Sequence, residues 1–245
     1  MFTSDGPTFR ELTVQALSSV ERGYDLLAPK FDRTPFRTPE PFVEAVGGAL
    51  RGLGPFGDGL DVCCGTGAGT AMLRELCRDG VTGVDFSEGM LDAARRSLPR
   101  TGAGAGAPTV RWVREDVRRL GFDGEFDLAV SFGAFGHFLP SERPALFSGV
   151  HRALRPGGVF AFPVGAPPRV RSKPYWALLG FDAVMRVRNA VWRPPFVMYY
   201  RTFPLGPVRE DLARAGFGVE LLSLEEFGRR EDGSPRWRLV VARRG

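Results

Sequence analysis

The stretch from Leu60 to Thr70, Leu-Asp-Val-Cys-Cys-Gly-Thr-Gly-Ala-Gly-Thr, constrains this chain more than any other. A short apolar run closes at Asp61, a glycine-rich turn follows, and a helix-compatible segment from Ala71 to Arg78 comes next. Glycines in such a turn accept positive φ and leave room for a ligand to lie against the backbone. Between a strand and a helix they open a nucleotide-sized crevice at the carboxyl end of a sheet. Asp61 precedes the glycines, where a carboxylate would repel a pyrophosphate and attract a sulfonium or ammonium group. Thr70 stands where the dinucleotide pattern Gly-x-Gly-x-x-Gly needs its third glycine. Asp85 ends a second apolar run, Val81 to Val84, and an acid there can accept both hydroxyls of a ribose.

Taken with three further stretches, these residues resemble the class I S-adenosylmethionine-dependent methyltransferases. Asp61 to Gly67 is similar to the first motif of that family and Gly83 to Leu91 to the second. Arg114-Glu115-Asp116-Val117 is similar to the third, Phe126 to Ser131 to the fourth-strand motif, and Leu154 to Gly158 to the turn before the fifth strand. The resemblance covers roughly residues 55 to 165 and the pattern of the last forty, and it leans toward the quinone- and sterol-methylating branch. Cys63 departs from the family, which usually has glycine there, so the backbone approach at that point should be less close.

The resemblance implies an α/β fold: a doubly wound, mostly parallel seven-stranded sheet of order 3-2-1-4-5-7-6 with an antiparallel seventh strand. N-terminal helices precede it and an insertion follows the fifth strand. It implies a single domain over 1–245, divided into a helical cap (1–54), a cofactor-binding core (55–165), a lid or substrate insertion (166–205) and a C-terminal helix and hairpin (206–245). It also implies S-adenosyl-L-methionine as cofactor. Gly65, Thr66 and Gly67, with Cys63 beside them, would make room for its nucleoside and methionine portions. Asp61 would face its amino or sulfonium end, and Asp85 its ribose. Phe86 and Met90 would pack on adenine, Asp116 with Val117 would take the adenine amino group, and Ser131 and Phe132 would lie beside the methionine.

The remaining readings come from the residues themselves. The 245 residues are 43% apolar, enough for one large α/β domain. No apolar run is long enough to span a membrane, and Met1 to Gly6 lacks a signal pattern. Cys63, Cys64 and Cys77 have neither disulfide-framework nor metal spacing, so no metal is expected and a cytoplasmic address fits. The net charge is +5, carried almost wholly by arginines scattered over helix faces, so nucleic acid is not the expected partner. The exception lies between Arg169 and Arg201.

Alternating patterns predict a helix over 8–22, a proline-rich connector at 34–41, a helix over 42–50, and five strand–helix alternations from 59 to 164. Ser87 should cap a helix over 88–97, Ser141 a helix ending at Leu154, and Pro207 should open a helix to Ala215. Thr101 to Pro108 reads as a surface loop. Residues 175–191 read as a helix within an aromatic, proline-rich insertion at the mouth of the site. That insertion is a lid, a docked surface helix, or a peripheral membrane contact through 175–201.

His137 follows the fourth strand and titrates near neutrality when unperturbed, so it is the candidate general base, while His151 reads as structural. Tyr24, Phe135, Trp176 and Tyr199 are the other candidates for the substrate side. The fourth strand lacks the Asn/Asp-Pro-Pro-aromatic clamp of base-amino methyltransferases and ends in Ser131-Phe132-Gly133-Ala134, which suits an apolar small-molecule acceptor methylated at oxygen or carbon. An RNA methyltransferase, an NAD-binding oxidoreductase and a non-catalytic nucleoside-binding scaffold are the alternatives.

Overall fold

In a computed structural model that describes residues 6–34, 36–98 and 107–245, seven strands form one sheet in the order β3-β2-β1-β4-β5-β7-β6. The strands are β1 (Phe56–Val62), β2 (Cys77–Asp85), β3 (Thr109–Arg114), β4 (Phe126–Val130), β5 (Leu154–Gly165), β6 (Phe217–Ser223) and β7 (Trp237–Arg244). The first five run parallel, and β7 lies antiparallel between β5 and β6. This is the order and the hand of pairing that the resemblance implies.

Strand residues alternate between two cores, as a sheet covered on both faces requires. Ala129, Phe160, Phe162, Val240 and Ala242 pack on one face with α6 (Arg143–Ala153) and α8 (Leu205–Arg214). Their neighbours Leu128, Val130, Val159, Ala161 and Val241 pack on the other with α3 (Glu40–Arg51) and α4 (Ala68–Leu76). A buried ion pair joins the two helices of the first face: Arg143 Nε donates to Asp211 Oδ2 at 2.7 Å, and Arg143 also reaches the carbonyl of Thr202. The helix α5 (Glu88–Ser97) starts at Ser87, whose hydroxyl caps the Met90 amide as expected.

Several expectations are corrected. The helix read over 8–22 is two, α1 (Phe9–Leu17) and α2 (Val20–Leu27). They are separated because Ser18 ends the first in an extended conformation and Ser19 caps the second. Serines favour such caps because their hydroxyls compete for backbone amides. Glu142, not Ser141, precedes α6. α8 starts at Leu205 after Pro204, so Pro207 sits inside its first turn, where its missing N–H costs nothing. α4 starts three residues earlier than expected, directly on the glycine turn. Residues 1–5 of the N-terminus, Pro35 of the connector and 101–106 of the glycine–alanine loop lie outside the described residues.

The insertion carries the long helix α7 (Lys173–Val191), capped by Ser172. Asp182, buried on its inner side, accepts the backbone amides of Tyr200 and Arg201 and holds the returning chain against the helix. α7 is also tied to the cap. Arg188 donates to the carbonyls of Ala16 and Ser18, and Trp192 Nε1 donates to that of Leu17 at 2.8 Å.

Candidate active site

At the carboxyl ends of β1, β2 and β4 the chain opens a crevice of about 600 Å³. Its walls include Cys63, Phe86, Asp116, Val117, His137 and Phe138, with Val20 and Glu21 from the cap and Pro194, Pro195 and Val197 from the insertion.

The turn after β1 borders the crevice at Cys63. Cys63, Gly65 and Gly67 have φ of 59°, 52° and 94°, the left-handed region in which glycine is free and a cysteine is strained. A side chain at Gly65 would meet no protein atom within 4 Å, so the turn leaves open space there. Asp85 fixes the turn from β2: Oδ2 accepts the Gly65 amide at 2.9 Å and Oδ1 the Ser87 amide at 2.9 Å. Burial raises the Asp85 carboxyl above its usual range, against the pull of those amides. The Phe86 amide draws on the carboxylate as well, and the acceptor capacity left over is what a ribose hydroxyl could use.

Asp61 lies beneath the turn, not in the crevice wall. It is 1% exposed and accepts the Thr70 hydroxyl at 2.8 Å. Both of its oxygens come within 2.7 Å of where a Gly69 side chain would begin, so only glycine fits there. Burial pushes its carboxyl up to about 7.

The other expected residues divide. Cys63, Phe86, Asp116, Val117 and His137 share the crevice. The Asp116 carboxylate is already engaged by Arg118, which donates to both of its oxygens and also reaches Glu142. Burial pushes the Asp116 carboxyl up, but Arg118 outweighs it and holds it below the usual value. Met90 is 1% exposed, in the core below the crevice. The Ser131 hydroxyl donates to the Val62 carbonyl and serves the sheet, and Phe132 packs against the second core. Phe135 stacks on Phe203 at 4.1 Å inside the first core. Tyr199 is buried between the Asn189 amide and the Arg186 guanidinium. Trp176 is 56% exposed and lines no part of the crevice.

The cap supplies what the sequence did not announce. The Tyr24 hydroxyl lies 2.7 Å from His137 Nε2, and His137 Nδ1 lies 2.7 Å from the Val197 carbonyl. A carbonyl only accepts, so Nδ1 carries the proton and Nε2 presents its lone pair. Burial lowers the His137 imidazole below its usual value, outweighing the Val197 bond and keeping it neutral, and burial raises the Tyr24 phenol. Asp25 accepts the Ser87 hydroxyl at 2.6 Å and the Gly89 amide at 3.0 Å, a carboxylate placed on the positive end of α5. Asp32 accepts the Thr66 hydroxyl at 2.7 Å. Tyr24 stands among the substrate-side candidates of the sequence, but the partners of Tyr24 and Asp25 at 137, 87 and 89 have no local signature.

An S-adenosyl group fits these residues on three observations: the open space over Gly65, the acceptor capacity left on Asp85, and the apolar walls of Phe86 and Val117.

Residues 60–158 match the family model described as "Methyltransferase domain". An uncharacterized methyltransferase of Synechocystis is 38% identical over 102 residues, 42% of this chain and 44% of that protein. The demethylmenaquinone methyltransferase of Staphylococcus epidermidis is 36% identical over 104 residues, 41% of this chain and 39% of that one. The chain therefore spans less than half the length of these curated relatives. Among solved structures, the DhpI–SAH complex superposes with a TM-score of 0.64 at 21% identity, covering 97% of this chain and 99% of that one.

Proposed function

We propose that this chain, which belongs to the class I S-adenosylmethionine-dependent methyltransferases, moves a methyl group from S-adenosylmethionine to an apolar small molecule at oxygen or carbon. The observation that carries the reading is the Gly65–Asp85 contact, in which a buried carboxylate fixes a bare stretch of backbone next to Cys63 and Phe86 of the crevice wall. When bound, the cofactor supplies a methyl group activated by a sulfonium. The protein's part is to hold the acceptor in line and dry, from which most of the acceleration comes.

In this reading Asp85 takes the ribose, Phe86 and Val117 flank the base, and the Asp116 carboxylate, already accepting from Arg118, also accepts from the adenine amino group. Asp61 acts from below, as a buried carboxylate that favours positive charge in the crevice above it. Gly65, Thr66 and Gly67 form the floor. Phe138, Val197, Pro194, Pro195 and Val20 offer the acceptor an apolar wall. His137 is the base: its tautomer is set by Val197, and a hydroxyl of the acceptor would give its proton to Nε2. Charge balances within the site, because the imidazolium forms as the sulfonium charge disappears. The demethylmenaquinone methyltransferase relative supports an acceptor of quinol type, and a peripheral membrane contact through 175–201 suits so apolar an acceptor.

Titration calorimetry with S-adenosylhomocysteine is the test. We expect saturable binding that weakens about a hundredfold or more in Asp85→Ala, and release of a labelled methyl group to phenols or quinols that is lost in His137→Ala. No binding, or binding unaltered in Asp85→Ala, would overturn the reading.

A further inference from the structure

Seven arginines and lysines but a single acid, the buried Asp182, lie between Arg169 and Arg201, so the net positive charge of the whole chain sits in this one segment. Four of the seven are engaged. Arg169 pairs with Glu231, Arg188 holds carbonyls of the cap, and Arg186 and Arg201 lie over the rings of Tyr199 and Tyr175. Arg171, Lys173 and Arg193 are exposed and make no ion pair with a described residue. They stand at the two ends of α7.

Between them the outer side of the helix is apolar. Trp176, Gly180, Val184, Val187 and Val191 recur three or four residues apart and share one face. Trp176, Val184, Val187 and Val191 are 56–78% exposed, while Asp182 and Met185 turn to the protein. Trp192, just past the helix end, is 48% exposed, and its bond to the Leu17 carbonyl brings the exposed Leu17 of α1 alongside. A helix of this length is about 28 Å long. A valine stripe on it exposed to water is unfavourable unless something apolar covers it.

We propose that this face of α7 docks on an anionic phospholipid bilayer, with Trp176, Val184, Val187, Val191 and Trp192 entering the acyl boundary and Arg171, Lys173 and Arg193 meeting the headgroups. The chemistry of the face selects this occupant. Cations at both ends of an apolar strip, with tryptophan at each end, match a surface that is negative outside and hydrocarbon within. RNA would need cations spread along a groove with rings to stack on, and here the middle of the face is valine. The proposal deepens the reading of an apolar acceptor and rests on it for its purpose, since such an acceptor resides in the bilayer. The docking itself is measured without cofactor.

The test is sedimentation of the full chain with phosphatidylcholine vesicles, with and without phosphatidylglycerol, alongside tryptophan emission. We expect binding to the anionic vesicles with a blue-shifted emission, and little binding to phosphatidylcholine alone. Val187→Asp should weaken vesicle binding about tenfold, and so should the double change Lys173→Glu with Arg193→Glu, while calorimetry with S-adenosylhomocysteine stays unchanged in both. No sedimentation with anionic vesicles, binding unaffected by Val187→Asp, or binding to single-stranded poly-uridylate tighter than to the vesicles would overturn the proposal. Loss of cofactor binding with vesicle binding intact would instead count against the methyltransferase reading.

Discussion

The Tyr24 hydroxyl sits 2.7 Å from Nε2 of His137, joining α2 of the cap to the turn after β4 across 113 positions of sequence. Because Val197 claims the proton on Nδ1, the tyrosine is the donor in this bond. In the proposed reaction its hydroxyl holds the place that the acceptor hydroxyl would take.

Tyr24→Phe should therefore separate two effects. The variant leaves a buried imidazole nitrogen without its donor, at a cost of about 1–3 kcal/mol, or roughly 2–4 °C of melting temperature per kcal/mol for a chain of this size. The proposed base is at the same time left free. The expected outcome is a lower melting temperature by differential scanning fluorimetry with methyl transfer retained. Activity lost as fully as in His137→Ala would assign the proton step to the tyrosine.

With the cofactor held as proposed, Asp61 should make the balance between cofactor and product depend on pH. Its carboxyl is raised to about 7 by burial, against about 4 in the unfolded chain. The folded state therefore binds the proton more tightly, and the stability this provides is full below pH ~4 and is lost as pH rises through about 7. A sulfonium above the turn favours the ionised form, so the affinity for S-adenosylmethionine should rise as pH increases through 7. That for S-adenosylhomocysteine, whose sulfur is neutral, should change less. Calorimetry with both ligands on the protein and on Asp61→Asn checks this, and the asparagine variant should show no such difference.

Gly89 is where the cap meets α5. A side chain there would begin 2.9 Å from the Asp25 Cα and 3.0 Å from the Asp25 carbonyl oxygen, both backbone atoms that cannot swing aside. Gly89→Ala should lift the cap while sparing the sheet. The expected result is faster proteolysis within 9–33 and weaker binding of S-adenosylhomocysteine, with the circular dichroism of the core preserved.

The Arg143–Asp211 pair is structural, and both side chains are under 10% exposed. Asp211→Asn leaves the buried guanidinium without its counter-ion, and breaking such pairs from one side costs about 3–5 kcal/mol. Denaturant unfolding should show that loss, with cofactor affinity little altered in the fraction that is folded.

How far the sequence disclosed this molecule follows from the range of the forces at work. The glycine turn, Asp85 and the Ser87 cap were legible because backbone conformation and capping are decided within a few residues. The sheet order came from resemblance alone, since nothing local in Trp237 to Arg244 says that this strand inserts antiparallel beside β5. Phe135, Tyr199 and Trp176 went astray for a common reason. An aromatic residue near a site reads the same whether it faces core, crevice or solvent, and only packing separates Phe135 on Phe203 from Trp176 in water. The bonds of Asp25, Asp32 and Tyr24 span 34 to 113 positions, and no spacing rule reaches that far.

The last carbonyls of a helix ordinarily turn to water. Those of Ala16, Leu17 and Ser18 are instead taken by Arg188 and Trp192, 170 or more positions away. The two walls of the crevice entrance, one from each half of the chain, thus form a single door. A bilayer pressing on one leaf would move the other with it.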